Sequence, residues 1–409
     1  MKILIVTQYF WPENFRINDL VDGLIERGHE VTVLTGKPNY PAGKYFSGYG
    51  FFKNNSETRN GVKIYRVPLI PRGNNNKILL AINYLSFVFF GLFLGPLYCR
   101  AKFDLVFAYS VSPITLVIPA RFIGWLQKIP VIIWVQDLWP ESLTATGAVT
   151  NKRILGLVGK LVRWIYKGCD LVLVQSRRFT GAITKFGVNA NRIKYFPNTA
   201  ESLYKPITSK EENNLTASVP DGFVVMFAGN IGVAQDFETI LQAAVLTKHK
   251  KNIYWVVLGD GRQFNWVKDE IERLSLSGTV HLMGSYPMTD MPAFFSKADV
   301  MLVTLKKEPI FSLTIPGKTQ SYLACAKPII SAVDGEGGDV ITESGAGISV
   351  SAENPEQLAK AVLAMEKLEK DEIIQMGQRG LDYYNRNFDR EMLLEKLEVM
   401  MTKLIDKGD

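Results

Sequence analysis

MKILIVTQYFWPENFRINDLVDGLIERGHEVTVLT, residues 1–35, decides the fold. Residues 2–7 are a short apolar run, after which Ile17, Leu20, Val21, Leu24 and Ile25 recur at helical spacing up to the helix-stopping Gly28. Residues 30–35 supply the next apolar run, so the chain opens as a β-α-β unit, for which a parallel sheet with a right-handed crossover is expected. Working outward, strand patterns continue at 64–67, 105–109, 130–135 and 170–174. After Asn198 and the polar stretch 209–218 they restart at 223–228, 253–258, 280–283, 300–305, 328–333 and 348–351. The reading is an α/β chain of two Rossmann-like domains facing a cleft, residues 1–197 and 198–387. The last helical stretch, 389–405 within a tail of about 388–409, is expected to pack back on the first domain.

At 409 residues the chain exceeds what one core usually supports. Cys99, Cys169 and Cys325 are scattered without metal-ligand or disulfide-framework spacing, so a reducing, cytoplasmic setting is expected. The first residues lack a basic segment, a long apolar segment and a cleavage site, so a secreted chain is not expected. Residues 1–197 hold 25 Lys and Arg against 10 Asp and Glu, whereas 198–409 hold 22 against 30. A basic first half suits an anionic membrane surface or a phosphorylated lipid. Nucleic acid is disfavoured, because the basic residues are dispersed and no recognition signature accompanies them.

Residues 78–97 (ILLAINYLSFVFFGLFLGPL) carry no charge and are long enough to cross a bilayer. A single crossing would separate the strands at 64–67 and 105–109, which belong in one sheet. Basic residues flank both ends (Arg72 and Lys77, Arg100 and Lys102), giving no asymmetry to orient a span. An in-plane, interfacial segment is therefore favoured over a buried core helix and over a true span. A peripheral or monotopic protein on the cytoplasmic face of the inner membrane is the resulting expectation.

Loop 8–16 (QYFWPENFR) follows the first strand, at the end of the sheet where such folds place ligands. It lacks Gly-x-Gly-x-x-Gly, which counts against a nicotinamide enzyme, and instead offers Glu13, Asn14 and Arg16. Residues 134–142 (WVQDLWPES) place Asp137 and Glu141 at the same end, where a carboxylate can hold a sugar hydroxyl or take its proton. In the second half, AGNIGVAQD at 228–236, GDGR at 259–262, Met283-Gly284 and Pro316-Gly317-Lys318 recur at successive strand ends. Each alone is an ordinary turn, and Asp137 alone could cap one; together the glycine turns make a crevice around a cation, suited to a diphosphate. No Asp-x-Asp occurs and His29, His249 and His281 are isolated, which disfavours a metal-held diphosphate. Leaving-group charge then falls to Lys318, Arg262 and helix N-termini.

With those residues in place, the chain resembles the GT-B glycosyltransferases of family 4, and within them the WbuB-like transferases of O-antigen synthesis. The resemblance runs through FWPENFRINDL (10–20), RGHEVTVLTGKPNYPAGKYFSGYG (27–50), WVQDLWPES (134–142), YFPNTAE (195–201), AGNIGVAQD (228–236) and EPIFSLTIPGKTQSYLACAKPII (308–330). It implies a UDP-sugar donor, UDP-N-acetyl-L-fucosamine for that group, held by the C-terminal domain. The implied donor contacts are Gly229, Asn230, Gly232, Gln235, Gly259, Arg262, Met283, Gly284, Glu308, Gly317, Lys318, Gln320 and Ser321. The implied acceptor, N-acetylglucosamine-diphospho-undecaprenol, would meet Asn14, Arg16, Asn39 and Tyr40 of the N-terminal domain. No metal or other cofactor is implied.

The family pattern is departed from in three places. Its basic pair in the glycine turn is Asn230 and Gln235 here, leaving Lys318 and Arg262 to neutralise the diphosphate. Its paired glutamates align with Leu313 and Ser321, with Glu308 a partial substitute for the first, and its histidine before Asp137 is Gln136. Conversion of a β-L donor to an α-L product inverts the anomeric carbon and needs a general base, for which Glu13 and Asp137 are equal candidates beside Lys318 as the third catalytic group. A sugar-nucleotide 2-epimerase of the same fold and a non-catalytic membrane-bound sugar-nucleotide binder are the alternatives. The apolar segment and basic half count against the first, the polar loops against the second.

Overall fold

The computed structural model describes residues 1–73, 76–145, 149–207 and 214–406, so part of the polar stretch at 209–218 lies outside the described residues. The chain divides into two compact units, Met1–Pro197 with Glu391–Asp409, and Asn198–Arg390.

The first unit is built on an eight-stranded sheet: β1 (Lys2–Val6), β2 (Glu30–Thr35), β3 (Ser56–Arg59), β4 (Val62–Arg66), β5 (Leu105–Ser110), β6 (Val131–Val135), β7 (Leu171–Val174) and β8 (Ile193–Tyr195). Its order is β3-β4-β2-β1-β5-β6-β7-β8, parallel throughout except for the β3–β4 pair. β5, β6 and β7 are buried along their whole length, which is why they read as unbroken apolar runs: helices cover both faces of a parallel sheet. The antiparallel β3–β4 hairpin is a feature the apolar pattern did not announce. Its turn is Asn60-Gly61, both in the left-handed region (φ 48° and 81°), the conformation a two-residue hairpin demands.

The Arg16–Glu26 helix buries Ile17, Leu20, Val21 and Leu24 against this sheet. The last helix, Arg390–Ile405, adds Leu393, Leu394, Leu397 and Met401 to the same core. Its Glu398 receives Arg27 Nη2 at 2.8 Å and His29 Nε2 at 2.7 Å, so the chain's return to the first unit is fixed by packing and by charge.

Residues 78–97 fall within one 22-residue helix, Lys77–Tyr98, capped by Asn76 Oδ1. One side buries Asn83, Ser86, Phe87, Gly91 and Gly95 against the unit. The other exposes Ile78, Ile82, Leu85, Phe89, Phe93 and Leu97, spaced three and four apart and so on one face, with Ile78 72% and Phe93 63% exposed. It is thus not a core helix, and the strands before and after it, β4 and β5, share a sheet. A second helix, Lys152–Lys167, exposes Ile154, Leu157 and Trp164 among Lys152, Arg153, Lys160 and Arg163.

The second unit carries β9 (Phe223–Ala228), β10 (Ile253–Leu258), β11 (Val280–Gly284), β12 (Val300–Thr304), β13 (Ile329–Ala332) and β14 (Gly347–Val350). All are parallel in the order β11-β10-β9-β12-β13-β14, the doubly wound dinucleotide-fold arrangement. Strand order reverses between β9 and β12 in this unit, and between β1 and β5 in the first. The carboxyl ends at these switch points are where open α/β sheets hold ligands.

Candidate functional site

In the second unit the glycine turn follows β9 directly, at the switch point. Gly229 donates its N–H to Leu258 O at 2.9 Å, Ile231 to Asp260 O at 2.8 Å, and Gly259 to Gly284 O at 2.7 Å. These bonds bring the expected turns at Gly229–Gly232, Gly259–Arg262 and Met283-Gly284 together. Gly229 and Gly259 sit at φ 140° and 139°, and a methyl group on Gly259 would overlap the Gly229 carbonyl, as one on Gly261 would overlap that of Ile231. Gly259→Ala should therefore cost about 2–4 kcal/mol, seen as a lower urea midpoint. Gly278→Ala, with nothing within 4 Å of its new methyl, should leave the midpoint unchanged.

Lys318 enters from the first turn of the Gly317–Ala324 helix. Its ammonium lies 3.4 Å from the centroid of the Phe227 ring, beside Gly229, and is buried with no hydrogen-bond partner among the described residues. Burial alone pulls its pKa from 10.5 down to about 7. The remaining expected donor residues differ in availability. Arg262, Glu308 and Gly317 are exposed, Met283 and Gly284 half-buried, and Ser321 buried. Gln235 is spent locally, its Oε1 accepting from Gly232 N at 3.2 Å and Asn230 Nδ2 at 3.3 Å. Gln320 is fully buried, its amide nitrogen placed to donate to Pro316 O (3.2 Å) and Gly317 O (3.0 Å) of its own helix start. It supports the Lys318 turn from inside. A cavity of about 460 Å³ runs along β11, but of the expected donor residues only Met283 lines it.

In the first unit, loop 8–16 leaves β1 and the segment 110–113 leaves β5, again at the switch point. Asp137, after β6, accepts from Ser112 N (3.0 Å) and Ser112 Oγ (2.9 Å) through Oδ2. The residue as a whole is half-buried. Burial raises its pKa, and the Ser112 bonds oppose the rise. Glu13 is more enclosed. Oε1 accepts from the backbone N–H groups of Asn39 (2.8 Å) and Tyr40 (2.7 Å), and Oε2 is buried without a partner among the described residues. Burial pushes its pKa to about 7.

Asn39, expected to meet an acceptor, is also interior: it donates to Lys37 O and accepts from Arg72 N at 3.1 Å. Arg66, fully buried, donates to Gly36 O and Trp11 O and pairs with Glu57, so distant strands tie these loops down. Asn14 and Tyr40 are exposed and Arg16 half-buried. Three groups not singled out by the sequence reading join this face: Tyr9, which stacks on Phe15 at 5.0 Å, Tyr84 from the apolar helix, and Arg72, whose guanidinium lies 5.0 Å from the Tyr40 ring centroid.

Residues 14–199 match the family model of the glycosyl transferase 4-like domain, and residues 209–380 that of the glycosyl transferases group 1. A chain carrying these two domains in succession is a glycosyltransferase. Relatives include the probable glycosyltransferase WbjE of Pseudomonas aeruginosa, 26% identical over 83% of this chain and 84% of that protein. The putative colanic acid biosynthesis glycosyl transferase WcaI of Escherichia coli is 23% identical over 97% of this chain and 98% of its own. Among solved structures, Anabaena HepE in complex with UDP aligns with TM-score 0.70 at 14% identity, covering 98% of this chain and 100% of that one. WaaG, a glycosyltransferase involved in lipopolysaccharide biosynthesis, aligns with TM-score 0.67 at 13% identity over the same shares. At such identities the structures bear on the fold, which is GT-B; the chain belongs to the family 4 GT-B glycosyltransferases.

Proposed function

We propose that the protein moves N-acetyl-L-fucosamine from UDP to N-acetylglucosamine-diphospho-undecaprenol, on the cytoplasmic face of the inner membrane, without a metal ion and with inversion, in O-antigen synthesis. The second unit takes the donor and the first the acceptor. The observation that carries the reading is Lys318: its side-chain nitrogen is buried against the glycine turn at a switch point with no hydrogen-bond partner among the described residues, a position where a diphosphate would supply the opposite charge. HepE was crystallised with UDP, and WcaI and WaaG are named for polysaccharide and lipopolysaccharide synthesis, which supports the substrate class.

In this reading Asp137 takes the proton of the attacking acceptor hydroxyl. That oxygen bonds to the anomeric carbon as the bond to UDP breaks, and the departing electron pair rests on the diphosphate beside Lys318. Asp137 is favoured over Glu13 because it is half-buried and bonded through Oδ2 to Ser112, whereas Glu13 is 2% exposed and holds two backbone N–H groups. Membrane association is supported by the exposed apolar face of the Lys77–Tyr98 helix and the basic, apolar outer face of Lys152–Lys167.

The test is turnover of UDP-N-acetyl-L-fucosamine with a synthetic N-acetylglucosamine diphospho-lipid in EDTA, with NMR of the product. An α-L-linked product is expected. A β-L product overturns inversion, turnover only on adding a divalent ion overturns metal independence, and product without the lipid points to an epimerase.

A further inference from the structure

Arg72 sits between β4 and the Lys77–Tyr98 helix and is half-buried. Its guanidinium stands over Tyr40, and Tyr40 closes an aromatic cluster with Tyr9 (5.8 Å) and Phe15 (5.3 Å). Among the described residues Arg72 makes no ion pair. The neighbouring cations are already engaged: Lys37 donates to Lys53 O, Asn54 O and Asn55 Oδ1, and Arg66 to Glu57. A planar guanidinium on an aromatic face with no carboxylate partner is a receptor for phosphate, which it can grip through two parallel N–H donors.

The apolar helix is fastened to this place. Asn83 donates to Ile70 O at 2.6 Å and accepts from Gln8 Nε2 at 2.7 Å, while Tyr84, on the next position of the helix, lies close enough to Tyr9 to influence its hydroxyl. The same helix turns Ile78, Leu85, Phe89 and Phe93 outward. A phosphate receptor, an aromatic platform and an apolar face are thus held on one framework, matching the three chemical parts of a lipid-linked sugar diphosphate.

We propose that Arg72, stacked on Tyr40, binds the diphosphate of the lipid-linked acceptor and places its sugar by the exposed Tyr40, which the half-buried Phe15 and the buried Tyr9 hold in place. This rests on the acceptor named above. The same guanidinium could hold the phosphate of a bulk anionic lipid. The aromatic cluster favours the acceptor, since a ring face that packs a sugar has no use for a plain headgroup.

The experiment compares wild type, Arg72→Ala and Arg72→Lys. Calorimetry with a short-chain polyprenyl diphosphate N-acetylglucosamine should show affinity about 10–100-fold lower in Arg72→Ala, with only partial recovery in Arg72→Lys. UDP affinity and flotation with phosphatidylglycerol vesicles should be unchanged. An uncharged ether analogue of the acceptor should bind all three proteins alike. Equal diphosphate affinity in wild type and Arg72→Ala, or no binding by wild type, overturns the proposal. Loss of vesicle binding with unchanged acceptor affinity overturns it in favour of a bulk headgroup site. Because binding is read without donor, a wrong donor sugar would silence turnover yet leave the Arg72 dependence intact.

Discussion

Lys318→Met should cut turnover sharply and make the protein more stable. The buried ammonium loses hydration and regains only the face of Phe227, so the folded chain holds its proton far less tightly than an unfolded lysine does. With the pKa lowered from 10.5 to about 7, the neutral amine's contribution to stability is present above the unfolded value and is lost progressively as pH falls toward about 7. Methionine fills similar space without that penalty. Near pH 7.5 the gain should be on the order of 3 kcal/mol, shrinking as pH rises toward 9.5. Urea titrations at pH 6.5, 7.5 and 9.5 measure it. kcat/KM should fall by about 10²–10³, because the leaving diphosphate loses its cation. A variant no more stable than wild type at pH 7.5 would mean that the ammonium has a partner in solution. Retained turnover would remove Lys318 from the donor site.

Asp137→Asn should lower kcat by about 10²–10⁴ while leaving the fold and UDP affinity intact, because an asparagine oxygen still accepts both Ser112 bonds. Glu13→Gln keeps the acceptor for Asn39 and Tyr40 N–H, and its loss should stay within tenfold. The wild-type rate should rise with pH as Asp137, held above the usual carboxylate range by burial, loses its proton; that limb should vanish in Asp137→Asn. If Glu13→Gln is instead the inactive protein, the base is Glu13 and the Asn39–Tyr40 loop opens to expose it.

The central strands were legible because β5, β6 and β7 are buried on both faces and must be apolar throughout. Edge strands carry no such demand. β3 reads SETR, and only the Asn60-Gly61 turn betrays its hairpin. Among the site residues, chemistry was visible and burial was not. Glu13, Asn39 and Gln320 have the side chains a sugar site uses, yet each serves the backbone around it, and the surroundings of Glu13 include Arg66, some fifty residues along the chain. Lys318 was singled out because it follows Pro316-Gly317 after β12, at the end of a doubly wound sheet where ligands are held. Arg72 went unassigned because it reads as a flanking charge; only the Tyr40 ring beneath it gives it a role.

The Lys77–Tyr98 helix has one further consequence. On the membrane reading, a helix that rests its outer face among acyl chains and grips Gln8 and Ile70 through Asn83 confines the enzyme to a plane. Its substrate supply is then set by how many acceptor molecules occupy each patch of bilayer, not by how many are in the tube. Diluting the acceptor with inert phospholipid at constant total acceptor should slow the reaction, while diluting the whole suspension with buffer should leave the rate per bound enzyme unchanged.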